Sequence, residues 1–188
     1  TLLTASDPAT LEVGIVNREE TVKSQRQVFQ HLLPSLQALQ QNTNNPHMFS
    51  VQTYDGTDGF KQMLWHELKA EGEILIFGSG SLESLVESHR WAEKHRQRSV
   101  EVGQTIRELI NPGEKIDDFT QNDDFVAIYN RRILPVETLV MQHQVVLYNN
   151  TVASYWWRDG QKVGVEIINK VNAQMMRQMF EHYWNIAE

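Results

Sequence analysis

An α/β domain behind a long N-terminal helix is the fold the sequence predicts, and three patterns predict it. A seven-residue apolar repeat runs through the first part of the chain, as in a coiled-coil helix. Strand-like and helix-like segments then alternate, the signature of a sheet with helices packed on it. Short strands joined by tight turns follow, ahead of a last amphipathic helix.

The 188 residues suffice for one domain with its own core and a helical arm outside it. An apolar share of 40% beside 22% charged residues is that of an ordinary globular protein. No apolar run approaches the roughly 18 residues that span a bilayer, and residues 1–10 lack the basic start and apolar block of a signal peptide. A cytoplasmic protein without membrane attachment is therefore expected. The absence of cysteine excludes disulfides, thiolate catalysis and cysteine zinc sites. A net charge of −7 argues against polyanion binding by this region alone. Thr1 in place of Met points to a processed end or to a cut inside a longer protein.

Asp7 as N-cap and Pro8 at the first helical position mark a helix start, and the helix-like sequence continues to about Gln41. Ile15, Val22, Phe29 and Leu36 fall on one line of the repeat, Leu32 and Leu39 on its companion. Arg18 and Gln25 fill that companion line near the start, so the seam strengthens toward its end, where Pro34 should bend the helix. Val22, Phe29, Leu32, Leu36 and Leu39 are the candidate dimerisation residues. The alternative is a helix lying on its own domain; the wide polar face and a repeat nearer about 3.5 than 3.6 residues favour a partner helix. The turn-rich segment 42–47 (NTNNPH) then separates a dimerisation region, 1–41, from a second domain, 48–188.

That domain opens with a strand at 48–54, followed by Asp55-Gly56-Thr57, where Thr57 can cap a helix to about Ala70. The continuous apolar run 74–77 suits a strand buried on both faces, and it leads through Gly78-Ser79-Gly80-Ser81 into one long helix over 82–100. Another strand, 105–110, stops at Asn111-Pro112-Gly113. This order predicts a parallel sheet. Residues 114–124 read as an acidic loop, and 125–134 fit helix and strand equally. Asn149-Asn150 makes a two-residue hairpin turn between strands 145–148 and 151–157, and Arg158-Asp159-Gly160 turns into a strand at 163–168. The last helix, from about Lys170, carries an apolar stripe of Val171, Met175, Met179 and Phe180, with Trp184 below it. Met175, Met176 and Met179 read as core, as does one of the adjacent Trp156 and Trp157, whose side chains must face opposite ways on a strand.

His143, Val145 and Asn150 stand at the spacing of H-x-K-x4-D, a phosphodiesterase signature whose His attacks phosphorus and whose Lys neutralises phosphate charge. Val145 carries no positive charge and Asn150 does not ionise, and no other histidine begins a second copy. The motif reads as a ruined site or as none. The Gly78–Ser81 loop offers backbone N–H groups to an anion or a hydroxyl-rich ligand, or is a plain turn capped by Ser81; it lacks the complete dinucleotide and phosphate-loop motifs. The basic stretch 88–98 (SHRWAEKHRQR) reads as a solvated helix face with Glu87–Arg90 and Glu93–Arg96 pairs rather than a nucleic-acid patch. The histidines make no metal site: His66-Glu67 lacks a second His, and His89 and His95 diverge. No cofactor is expected.

Several segments together resemble the C-terminal region of TrmB-type transcriptional regulators, in which a coiled-coil helix joins a winged-helix domain to a phospholipase-D-like effector domain. Leu32-Leu33-Pro34-Ser35-Leu36 is similar to the proline-bearing end of that helix. Residues 51–61 (VQTYDGTDGFK), 73–78 (EILIFG) and Arg132-Ile133-Leu134-Pro135 resemble the first strand and turn, the second strand, and the lead into the final hairpin. Residues 145–153 (VVLYNNTVA), 165–169 and 180–184 (FEHYW) match the closing pattern. The resemblance implies a phospholipase-D-like sheet, a homodimer, a catalytically inactive sensor of a small-molecule effector, carbohydrate among the classes, and DNA contact only through a winged-helix domain not contained here. Two other functions stay open: a phosphodiesterase or nuclease of the phospholipase D superfamily, and a dimerising scaffold without ligand. Ligands in open α/β sheets bind at the carboxyl ends of the strands, which selects Tyr54, Asp55, Ser79 and Ser81. With the hairpin packed as in the family, His143 and Trp157 reach the same mouth.

Overall fold

The computed structural model describes residues 10–43, 49–78, 80–113, 120–158 and 160–188, the side chains of 10, 37–43 and 158 excepted. The chain divides into two units, Thr1–Pro46 and His47–Glu188. In the first, α1 (Thr10–Thr43) runs unbroken through Pro34. The seam residues Val22, Phe29, Leu32 and Leu36 are each more than half exposed. Asp7 and Pro8 lie outside the described residues, as does the side chain of Leu39.

The second unit is a seven-stranded sheet in the order β1-β7-β6-β5-β2-β3-β4. Its strands are β1 (Ser50–Asp55), β2 (Glu73–Phe77), β3 (Thr105–Ile110), β4 (Tyr129–Ile133), β5 (Gln144–Tyr148), β6 (Thr151–Arg158) and β7 (Gln161–Ile168). Only β2, β3 and β4 pair in parallel. The sheet is therefore mixed rather than parallel throughout. The first strand does not join the second: β1 pairs antiparallel with β7, and β5 takes the place beside β2. The direction of β1 still matches that of β2, so their carboxyl ends share one edge.

Strand alternation sorts the core into two layers. Ile74, Ile106, Val146, Ala153 and Tyr155 face α2 (Gly56–Glu67), α3 (Leu82–Val86), α4 (His89–Glu101) and α5 (Asp123–Ile128). Leu75, Phe77, Leu109, Leu147 and Val152 face the other way, against Ala173 and Phe180 of α6 (Lys170–Ile186). Phe180 meets Phe77 edge to face, 5.3 Å between centroids.

Three local expectations are corrected. The helix expected over 82–100 is two, because Glu87 takes a left-handed φ of 54° and Ser88 starts a new helix by accepting from the Trp91 N–H. Lys162 holds the end of α3, donating to Leu85 O at 2.8 Å where the helix dipole is negative. The N-cap of α2 is Asp55, not Thr57. Met175 and Met179 are exposed on α6, so only Met176 of that group packs against the core. The ambiguous stretch 125–134 is both forms in succession, α5 passing directly into β4. Of the two tryptophans, Trp157 packs into the α2 layer and Trp156 is substantially exposed.

Candidate functional site

The H-x-K-x4-D positions fall on β5 and the turn after it. Gln144 pairs with Tyr155, which puts His143 beside Trp156, and the two rings stack at 4.8 Å. Both rings lie on the α6 side of the sheet. Val145 packs against the α6-side cluster, and Asn150 sits in the hairpin turn opened by Asn149 at a φ of 47°. The second motif position is thus an apolar packing position.

The other residues selected at the strand ends separate. Tyr54 turns inward, its hydroxyl donating to Glu166 Oε2 at 2.6 Å. Asp55 is exposed at the start of α2 and makes no side-chain capping bond. Ser81 caps α3 by accepting from the Ser84 N–H at 3.2 Å. Ser79 lies outside the described residues. Trp157 closes over the loop at Gly80, where an added Cβ would stand 2.8 Å from its Cζ2. Ser81 and Trp157 are thus brought to one side of the sheet, while His143 points to the opposite side. The single mouth expected for all six is not formed, because alternation along β5 and β6 sends His143 and Trp157 to opposite faces.

Beside Gly80 and Ser81 begins a cavity of about 120 Å³ between the sheet and helices α2 to α5. Its lining mixes apolar side chains, Leu64, Ile76, Leu85, Ile106 and Phe125 among them, with the buried polar Glu67, His95, Ser99 and Gln104 and with the charged Arg96, Glu108 and Arg131. Burial pushes the Glu67 carboxyl up to about 8 against the lowering effect of the Tyr155 hydroxyl, which donates to it, and the Glu166 charge adds to the rise. Burial also holds His95 neutral, lowering it to about 4 although its Nε2 reaches Leu64 O at 2.9 Å. Neither of these two buried groups therefore carries a formal charge near pH 7.

Behind Glu67 lies a second carboxyl with the opposite behaviour. Burial opposes ionisation of Glu166, but bonds from His66, Tyr54 and Tyr148 outweigh it and hold the group below its ordinary value. His66 Nδ1 stands 3.0 Å from Oε2 and Tyr148 donates to Oε1 at 2.8 Å. A carboxylate oxygen only accepts, so Nδ1 is the protonated ring nitrogen in this contact.

The stretch read as a solvated basic face is half internal. His95 and Arg96 are buried, and Arg96 bonds both Glu83 oxygens at 2.6 and 3.0 Å as well as Glu93. Glu87 pairs with Lys162. Glu83, His89 and Glu93 converge closely enough to suggest a cation site, but the Arg96 guanidinium already bonds both carboxylates and offsets half their charge. Among the sequence candidates Glu67 figures only in the incomplete His66-Glu67 metal motif, and Gln104 and Glu166 not at all. A signal existed for the first: Phe60, Met63, Leu64 and Glu67 recur at helical spacing on the buried face of α2. Gln104, one residue before an apolar strand, carries none.

No protein-family model matches the sequence, and comparison with curated proteins finds no match. Solved structures do match in fold. TrmBL2, an archaeal chromatin protein whose structure shows a novel mode of DNA binding, is 16% identical, with a TM-score of 0.53 over 97% of this chain and 71% of that one. NucT from Helicobacter pylori is 8% identical, covering 74% of this chain and 98% of its own, with a TM-score of 0.54. Nuc from Salmonella typhimurium, a phospholipase D family member, is 13% identical over 75% and 97% of the two chains, with a TM-score of 0.50. The domain thus has the phospholipase-D-like fold, and with its preceding helix the chain is similar to TrmBL2 along nearly all its length. Among the described residues, no helix is long and apolar enough to cross a membrane.

Proposed function

We propose that, on this phospholipase-D-like fold, the chain serves as the effector-sensing and dimerising region of a cytoplasmic DNA-binding transcriptional regulator and catalyses no phosphodiester chemistry. The observation that carries this reading is Val145. At the position where the motif needs a cation for the phosphate, an apolar side chain packs into the α6-side cluster, and a lysine there would have to bury its charge. Asn150 likewise supplies a turn and not a carboxylate. The likeness to a DNA-binding chromatin protein over both helix and domain supports a regulatory role. In the family that the sequence resembles, DNA contacts belong to a winged-helix domain ahead of such a region.

Dimerisation through α1 is supported by the line Val22, Phe29, Leu32 and Leu36, each about half exposed, whose remaining burial against a second copy is worth roughly 1 kcal/mol per side chain. Light scattering should give a dimer for the whole chain and a monomer after deletion of residues 1–41; a monomeric whole chain at high concentration defeats the idea. Purified protein should hydrolyse bis(p-nitrophenyl) phosphate no faster than buffer. Hydrolysis that His143→Ala abolishes would establish the nuclease reading instead.

A further inference from the structure

The cavity under α2 to α5 holds one polar atom whose bonding is incomplete. Gln104 is 1% exposed, and its Oε1 is, among the described residues, the buried side-chain polar atom without a hydrogen-bond partner. The amide orientation is fixed by its other end: Nε2 donates to the backbone carbonyl of Glu67 at 2.6 Å, an acceptor that only an N–H can satisfy. Gln104 lines the cavity and its Oε1 keeps unpaired lone pairs, and leaving such an acceptor unpaired is costly.

The surroundings narrow what can pair with it. Most of the cavity wall is aliphatic or aromatic, as in sites that take the apolar body of a ligand. Glu67 and His95, close to Gln104 in the lining through the Glu67 carbonyl and α4, offer no countercharge, since both are neutral near pH 7. The buried cation of the lining, Arg96, is already held by Glu83 and Glu93, while the half-buried Arg131 lies over the Tyr129 ring, opposite the acidic Glu108 in the strand register. A phosphate or carboxylate beside Gln104 would meet an acceptor and two neutral groups rather than a cation. At about 120 Å³ the space is slightly below the roughly 150 Å³ of a cavity known to accept benzene, and it opens beside Gly80 and Ser81.

We infer that this cavity is the domain's effector site, and that its ligand is a small uncharged molecule with an apolar body and an O–H or N–H that donates to Gln104 Oε1. The inference rests on the sensor reading above and names the ligand class for it. The chemistry is that of a phenol or a small cyclic alcohol or amide; a sugar, with polar groups on every side, would leave most of its hydroxyls against the aliphatic walls.

Phenol, toluene and inorganic phosphate serve as probes on the whole 188-residue chain, read by calorimetric titration and by thermal shift. Phenol should bind about tenfold more tightly than toluene, the worth of one buried hydrogen bond, and phosphate should not bind. Gln104→Met keeps the side-chain length without the acceptor and should bring the phenol-to-toluene ratio to about one. Leu85→Phe, which adds bulk to the lining, should weaken both probes while leaving Gln104 in place. The wild-type comparison decides the matter even if a variant fails to fold. No phenol binding, as when a tightly held water completes Gln104 and leaves no room, overturns the inference. Toluene binding as tightly as phenol, or phosphate binding more tightly than either, also overturns it. None of these results touches the hydrolysis and light-scattering tests, so failure of the ligand class is distinct from failure of the regulatory reading.

Discussion

Substituting Glu67 by Gln separates its charge from its shape. The carboxyl is buried, accepts from Tyr155, and is held up to about 8 against an ordinary value of 4.5. As the pH rises between those values, the unfolded chain sheds its proton while the folded chain keeps it. The folded state then binds more protons, and stability must fall with pH through this window and level off above it. His95 acts in the opposite sense but lower down: its folded value of about 4 against an ordinary 6.5 means stability lost as pH falls through that interval and complete above it. The range from pH 6.5 to 8 therefore isolates Glu67. At ~1.4 kcal/mol per pH unit the wild-type protein should lose about 2 kcal/mol across it, or roughly 4–8 °C in melting temperature. Gln keeps the acceptor for Tyr155 and nearly the same volume, and has no proton to lose. Urea denaturation of both proteins at pH 6.5 and 8 gives the comparison, and the stability of Glu67→Gln relative to wild type should rise by about 2 kcal/mol between the two. An unchanged difference would show that Glu67 is not held neutral by the fold, and the uncharged surroundings of Gln104 would go with it.

Arg96→Met leaves Glu83 and Glu93 facing each other without their shared cation, and should cost about 3 kcal/mol by denaturation; a loss below about 1 kcal/mol would mean that the pairs behave as exposed ones. Phe29→Glu places a charge on the exposed seam of α1 and should shift light scattering from dimer to monomer without lowering the melting temperature of the domain; a persistent dimer would move the interface elsewhere. Gly80→Ala forces a side chain on a residue at φ +85° and against Trp157, and should lower stability by about 1–2 kcal/mol. Trp157 fluorescence should change with it, and an unaltered spectrum would show that the ring does not close over this loop.

Local chemistry was legible in the sequence where it decides structure by itself. The strand at 105–110 and the helix from Lys170 stand where the apolar pattern puts them, and Asn149 turns the hairpin with the positive φ that asparagine tolerates. Glu87 shows the limit: a glutamate gives no warning of a left-handed backbone, so the break between α3 and α4 could not be read. Pairing was hidden for another reason. That Ser50 faces Ile168 rather than a residue of β2 depends on contacts spread across the domain, and strand-helix alternation alone favours the sequential arrangement. Charge misled in the same manner at Arg96, buried only because Glu83 comes from a neighbouring helix to meet it. The candidate site shared these difficulties, since Gln104 acquires significance from the Glu67 carbonyl and not from its neighbours in sequence.

The place of β1 at the sheet's edge sets an order of events on the ribosome. This strand is among the first parts of the domain to be synthesised, yet its one strand partner, β7, is among the last, with Asp55 awaiting Val163 and Ser50 awaiting Ile168. The parallel trio β2, β3 and β4 can form long before, while Val51 and Tyr54 remain without the neighbours they need. Closing so long a loop carries an entropic cost that the local pairings do not, and an edge strand waiting through translation is open to pairing with the same strand of another nascent chain. Gln52 and Thr53, with the charge of Asp55 at the strand's end, make that stretch a poor template for such pairing, so the residues that leave β1 half polar also protect it until β7 arrives.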